Sequence, residues 1–162
     1  MTITNAQRGI IMKQLLTALT AFSIILFSLQ ISFAASGDME IRNATGSSVG
    51  KIKSDGSVRN KQGSKIGTIK ISGTVKDKTG RNLGSFDSKG KLQDNAGLLL
   101  GKVNDKGEIR NSKGSLVAKI KSNGDIRDKT GKKIASAKPY LPDARLRLTA
   151  YLCFFYRPDL FK

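Results

Sequence analysis

The chain has no histidine and no tryptophan, a single cysteine and three prolines in 162 residues. Without histidine it lacks the commonest general base and the commonest metal ligand at neutral pH. Cys153 has no histidine to activate it and no second cysteine in the chain to pair with, so it is either buried or open to pairing between chains. Aromatic residues are almost missing from the middle of the chain: between Ala35 and Lys138 there is only Phe86. Sugar-binding and base-stacking surfaces rest on aromatic platforms, so a sugar-specific lectin is disfavoured. Acidic residues are few, 12 against 29 lysines and arginines, giving a net charge of +17. The loop Asn104-Asp105-Lys106-Gly107-Glu108 has a calcium-loop flavour but too few acids, and a lysine sits inside it. These shortages predict no enzymatic activity, no cofactor and no metal.

What is abundant is glycine, at a fixed spacing. Six copies of a 17-residue unit start at Ser36, Lys53, Lys70, Asp87, Asn104 and Lys121. Position 11 is glycine in every copy, and position 4 is glycine in all but the first, which has Met39. Position 6 is always a branched apolar residue (Ile41, Val58, Val75, Leu92, Ile109, Ile126), and so is position 14. A unit this short cannot bury its own apolar face and must share a core with its neighbours. Two glycines seven residues apart leave room for one short strand between turns and none for a helix.

The turns can be typed. A three-residue loop Ser54-Asp55-Gly56, with Gly56 left-handed, pairs Lys53 with Ser57 and Ile52 with Val58. Asn60-Lys61-Gln62-Gly63 has the type I signature, Asn first and Gly fourth, with the Asn side chain bonding a backbone N–H two residues on. Position 8 alternates between Asn and Asp (Asn43, Asn60, Asp77, Asp94, Asn111, Asp128). Such an exchange suits a capping oxygen and not a titrating acid. Positions 14 and 17 are both apolar but three apart, so the Gly or Ala at position 15 predicts a bulge that turns position 17 inward.

Read this way, five complete hairpins fit, at 47–60, 64–77, 81–94, 98–111 and 115–128, with half-hairpins near 38–43 and 132–136. Segments such as Ile109-Arg110-Asn111-Ser112-Lys113-Gly114-Ser115, Ile66-Gly67-Thr68-Ile69-Lys70 and Asp125-Ile126-Arg127-Asp128-Lys129-Thr130-Gly131 resemble the small secreted "five-fold β-flower" proteins of Bacteroidetes. That resemblance implies hairpins in approximate five-fold symmetry, in agreement with the hairpin count, and brings no catalytic residue with it. The expected fold is all-β: six repeats forming about five hairpins in a flower-like array, closed by a C-terminal strand.

Three segments are expected. Residues 1–34 read as a signal peptide with its true start at Met12: a basic Met12-Lys13, an apolar stretch from Leu15 to Phe27, and Ser32-Phe33-Ala34 before Ala35 as a small-x-small cleavage site. The stretch falls short of the ~20 uniform apolar residues that a membrane span wants. Export to the periplasm, the outer membrane or the outside follows from this reading. Residues 35–137 form the repeat domain. Residues 138–162 differ in composition, with Pro139 and Pro142 and six of the seven aromatics that follow Ala35. There Leu146, Leu148, Ala150, Leu152 and Phe154 alternate with other residues, a period-2 pattern that predicts a strand packed on the repeats. Contact with a membrane through this tail is the less favoured alternative.

Charge supplies the only candidate site. Position 7 is Arg42, Arg59, Lys76, Arg110 and Arg127, with Gln93 the exception. It follows the inward position 6 and so points outward. A ring of such cations would meet an anionic polymer; the plainer reading is a solvated face that blunts strand edges. Export argues against nucleic acid and for an acidic envelope glycan, a lipopolysaccharide phosphate or another envelope protein. The leading functional expectation is an exported, non-enzymatic envelope module, with an anionic-polymer binder as the alternative.

Overall fold

A computed structural model describes residues 37–162, so the expected signal segment 1–34 and the expected start at Met12 lie outside the described residues. Twelve short strands run β1 (Met39–Asn43), β2 (Ser48–Ile52), β3 (Ser57–Asn60), β4 (Lys65–Ile69), β5 (Thr74–Asp77), β6 (Asn82–Phe86), β7 (Lys91–Asp94), β8 (Leu99–Val103), β9 (Glu108–Asn111), β10 (Leu116–Ile120), β11 (Asp125–Asp128) and β12 (Lys133–Lys138). Each pairs antiparallel with its chain neighbours, and β1 pairs with β12, so the sheet is a closed barrel.

Two loops repeat around it. In the first, Lys53 N donates to Ser57 O at 2.9 Å and Ile52 pairs with Val58, as the sequence predicts. Gly56 is left-handed at φ 82°, and a Cβ there would also lie 2.6 Å from the Ile69 carbonyl, so both conformation and space demand glycine. Met39 escapes this demand because it lies in β1, where it is buried. In the second loop Gly63 N donates to Asn60 O at 3.0 Å, while Asn60 Oδ1 accepts from Gln62 N at 3.1 Å and Ser64 N at 2.9 Å. Gly63 faces open space, so its φ of 82° alone selects glycine. Both loops are tight turns whose geometry is set within five residues, which is why they can be read locally.

The expected bulge is present. Val58 pairs with Gly67 and Arg59 with Lys65, which leaves Ile66 unpaired. The same shift recurs between β1 and β2, β5 and β6, β7 and β8, β9 and β10, and β11 and β12. The extra residue is position 14, and its effect is to let 14, 15 and 17 all lean inward: Ile66 is half-buried, Gly67 and Ile69 fully so.

The half-hairpins at the two ends find each other. Ala137 pairs with Ile41, Ser136 with Arg42 and Ala135 with Asn43. That register equals Ile52–Val58, Lys51–Arg59 and Gly50–Asn60 in the hairpin of β2 and β3. Five continuous hairpins are therefore joined by a sixth pair built from the chain's two ends, and no strand edge is left open.

The tail corrects the expectation of a strand at residues 145–154. It forms a turn at Pro142–Ala144, an α-helix α1 (Arg145–Tyr151), a π-helical stretch Leu152–Tyr156 and a final turn Pro158–Phe161. Arg157 N donates to Leu152 O at 2.7 Å, the five-residue bond of a π-helix. The reason is topological. A closed ring offers no edge for a thirteenth strand, so a segment inside it must satisfy its own backbone, and a helix does that. The tail enters beside the first set of loops, where Arg145 Nη2 meets Asp105 Oδ1 at 2.7 Å. It leaves beside the second set, where Arg157 and Asp159 share a cleft with Asn111, Asp128 and Thr130. In between, Leu148, Ala150, Tyr151 and Leu152 are buried with the inward residues of the strands in one core. The tail thus packs against the repeats as expected, as a helical plug.

Candidate functional site

Because the bore is filled, the surfaces left for recognition are the outer wall and the two rims. The wall is built by strand alternation: positions 5, 7 and 16 point out while 6 and 17 point in. The barrel is apolar inside and polar outside, the reverse of a membrane-spanning barrel. Among the described residues no helix is long and apolar enough to cross a membrane.

The position-7 residues all reach this wall, but they do more than carry charge. Arg59 Nη1 donates to Gly63 O at 2.7 Å, Arg110 Nη1 to Gly114 O at 2.9 Å and Arg127 Nη1 to Gly131 O at 2.8 Å. Gln93 Nε2 makes the same bond to Gly97 O at 2.6 Å. The exception in the charge pattern is thus no exception in the bonding pattern: in four of the six repeats position 7 is a long donor that caps the loop four residues on. Arg42 instead pairs with Glu40 at 2.8 Å, and Lys76 makes no ion pair among the described residues. The five cations lie in one belt but do not converge on one point.

Position 16 thickens the belt. Lys51 sits opposite Arg59, Lys102 opposite Arg110 and Lys119 opposite Arg127. Acids offset part of this. Glu108 lies 3.7 Å from both Arg110 and Lys119, and Asp125 lies 2.8 Å from Lys133. The Asn104 side-chain hydrogen bond holds the Glu108 carboxyl below the ordinary range, and that of Lys133 does so for Asp125. Lys91 faces Lys102, which faces Arg110, and among the described residues neither lysine has an acid within ion-pair distance. Of this row across β7, β8 and β9 only Arg110 has an acid partner, Glu108 at 3.7 Å.

The turn acids are engaged. Thr79 Oγ1 donates to Asp77 Oδ1 at 2.6 Å and Thr130 Oγ1 to Asp128 Oδ1 at 2.7 Å, and these bonds lead in lowering both carboxyls. Among the described residues no three metal-ligating side chains come together. Cys153 is buried, and burial pushes its thiol up to about 12, so it is an inert packing residue in this fold.

A family model described as "5-fold beta-flower protein" matches residues 38–157, nearly all of the barrel and its plug. The chain belongs to the 5-fold beta-flower family. No curated protein and no solved structure matches it. The match supports a small structural or interaction module of the β-flower kind, and the five continuous hairpins fit the family's description.

What sequence reasoning missed is the partnership between position 15 and the tail. A Cβ at Gly67 would lie 2.5 Å from the Phe155 ring, at Gly84 2.7 Å from Phe154, and at Gly101 2.9 Å from Phe161; at Gly50 it would meet the Tyr151 hydroxyl. Four successive inward glycines form the floor on which the tail's rings rest. The signal was in the sequence: small residues at an inward position, and a tail that holds nearly all the aromatics.

Proposed function

We propose that this β-flower is an exported, non-enzymatic structural or interaction module of the cell envelope. The observation that carries the reading is the filled bore: with its interior occupied by its own tail, the domain can meet partners only through its wall and rims. The engaged turn acids, the raised Cys153 thiol and the lack of histidine support a non-enzymatic role. Leu15 to Phe27 and the Ala34–Ala35 junction support export. Cell fractionation with N-terminal sequencing tests this. A chain beginning at Ala35 outside the cytoplasmic membrane is expected; an uncleaved chain in the cytoplasm would overturn it.

A second reading, binding of an anionic surface polymer by the belt, is favoured by the Lys91–Lys102–Arg110 row. Like charges placed opposite on neighbouring strands destabilise a sheet, so the facing pair Lys91 and Lys102, without an ion pair among the described residues, is kept at a cost that a polyanion would offset. Arg59→Gln, Arg110→Gln and Arg127→Gln, made together, keep the long donor that Gln93 demonstrates while removing three charges. Weaker retention on immobilised heparin with a flatter salt dependence is expected. Unchanged retention would leave the belt as a solvated face.

A further inference from the structure

The second rim has one repeat unlike the rest. At positions 12 and 13 four repeats carry only polar residues: Ser47-Ser48, Ser64-Lys65, Arg81-Asn82 and Lys132-Lys133. The fifth has Ser115-Leu116 and the fourth has Leu98-Leu99, on a loop whose tip is Asn95-Ala96-Gly97. Leu98 is 66% exposed and Leu99 41% exposed. One residue further on, Leu100 lines a cleft of about 280 Å³ with Leu83, Phe154, Pro158 and Phe161. Three leucines therefore follow one another from the cleft that holds the plug's rings, at Leu100, to Leu98 beside the tip of this hairpin. Around it stand cations that make no ion pair among the described residues: Lys78 on the loop of the third repeat, Lys113 on that of the fifth, and Lys162 at the mouth of the cleft.

We propose that this rim docks on an anionic lipid bilayer, with Leu98 and Leu99 entering the interface and Lys78, Lys113 and Lys162 meeting the headgroups. An apolar tip ringed by cations is the composition of a peripheral membrane contact. A second copy of the chain is the poorer occupant, because it would bring one basic rim against another in a protein of net charge +17. The contact is independent of the export reading, since it is measured with vesicles alone.

The chain has no tryptophan, so a single introduced one is a clean reporter. Leu98→Trp marks the proposed face. Ile71→Trp marks the opposite rim, at a residue 78% exposed on the loop closed by Lys70 and Gly73. Both full-length variants are mixed with phosphatidylcholine vesicles, with and without phosphatidylglycerol, carrying brominated acyl chains. The apolar stretch from Leu15 to Phe27 is present in both variants, so the difference between them is what is read. Quenching and a blue shift for Leu98→Trp only, dependent on phosphatidylglycerol and reversed by salt, are expected. Lys78→Gln and Lys113→Gln should each weaken the partitioning of Leu98→Trp about fivefold. Equal quenching at both positions, or at neither, would overturn the proposal. So would a blue shift for Leu98→Trp that rises with protein concentration in the absence of vesicles, which would assign the face to a second copy.

Discussion

Gly67 is the seat of Phe155: a methyl group on Gly67 would stand 2.5 Å from the ring. The pair joins a strand of the second repeat to a residue of the tail 88 positions on, and it belongs to a set of four such seats around the bore. Gly67→Ala should destabilise the domain by about 1–3 kcal/mol through overpacking. Phe155→Leu alone also costs stability, through lost ring contact. Combined, the two changes should cost less than their sum, because the smaller side chain relieves the ring's part of the clash, while the Lys76 carbonyl, also 2.5 Å from the added methyl group, keeps the rest. Chemical denaturation of the four proteins of the cycle checks this, and strictly additive losses would contradict the contact.

The plug itself is the next test. Leu148 and Leu152 are fully buried inside a ring whose own inward residues at position 15 are glycine or alanine. Leu152→Ala should cost about 2–5 kcal/mol, a large part of the stability of a domain this size. Ending the chain after Lys138 leaves all twelve strands but an empty bore, and should give an insoluble or unfolded protein. A truncated chain that melts like the full one would show that the ring stands without its plug.

The repeat, both loops, the bulge and the five hairpins were legible because each is decided within a few residues. Gly56 and Gly63 announce their turns, and Asn60 its cap. The sixth strand pair was legible only as two loose halves, since nothing local says that Ile41 meets Ala137. The tail misled for a physical reason. Amphipathic periodicity identifies a helix by its dry and wet faces, yet a helix inside a bore is covered on every side. Residues 147–153 are buried without interruption, so the 3.6-residue pattern is erased and the chance alternation of Leu146, Leu148, Ala150 and Leu152 stands out. That the position-7 side chains lie on the outer wall follows from strand alternation, but their bonds to the loop carbonyls depend on side-chain reach that a pattern does not show.

Stability should respond to both ends of the pH scale. The Asp77 and Asp128 carboxyls lie below their ordinary value in the fold, chiefly through the Thr79 and Thr130 hydroxyls. A depressed carboxyl contributes stability above its unfolded pKa and loses it as pH falls through the folded value, so the loss belongs below about pH 4. Asp77→Asn with Asp128→Asn keeps the capping oxygen, as Asn60 does, and should flatten that loss. On the alkaline side burial raises Tyr151 to about 12. A raised pKa for a group that is neutral when protonated keeps its full contribution below the unfolded value near 10 and loses it as pH rises to about 12. Tyr151→Phe should flatten the alkaline fall. Denaturation midpoints across the pH range read both effects, and a wild-type profile flat between pH 9 and 12 would contradict the burial of the phenol.

Position 7 separates bonding from charge. Arg59, Gln93, Arg110 and Arg127 share one bond, to the carbonyl of the glycine four residues on, although Gln93 carries no charge. If the fold selects the donor, Arg59→Gln should leave the denaturation midpoint nearly unchanged. Arg59→Leu deletes the donor and keeps much of the side chain's apolar bulk, and should cost about 0.5–1.5 kcal/mol. If the fold instead depended on charge in this belt, both variants would shift the midpoint alike, and raising salt would mimic them in the wild type. The bond length at Gln93, 2.6 Å, favours the first outcome. Hydrogen exchange at Gly63 and Ser64 resolves the two cases locally: opening of this loop should accelerate in Arg59→Leu and stay at the wild-type rate in Arg59→Gln, because only the former frees the loop from its strand.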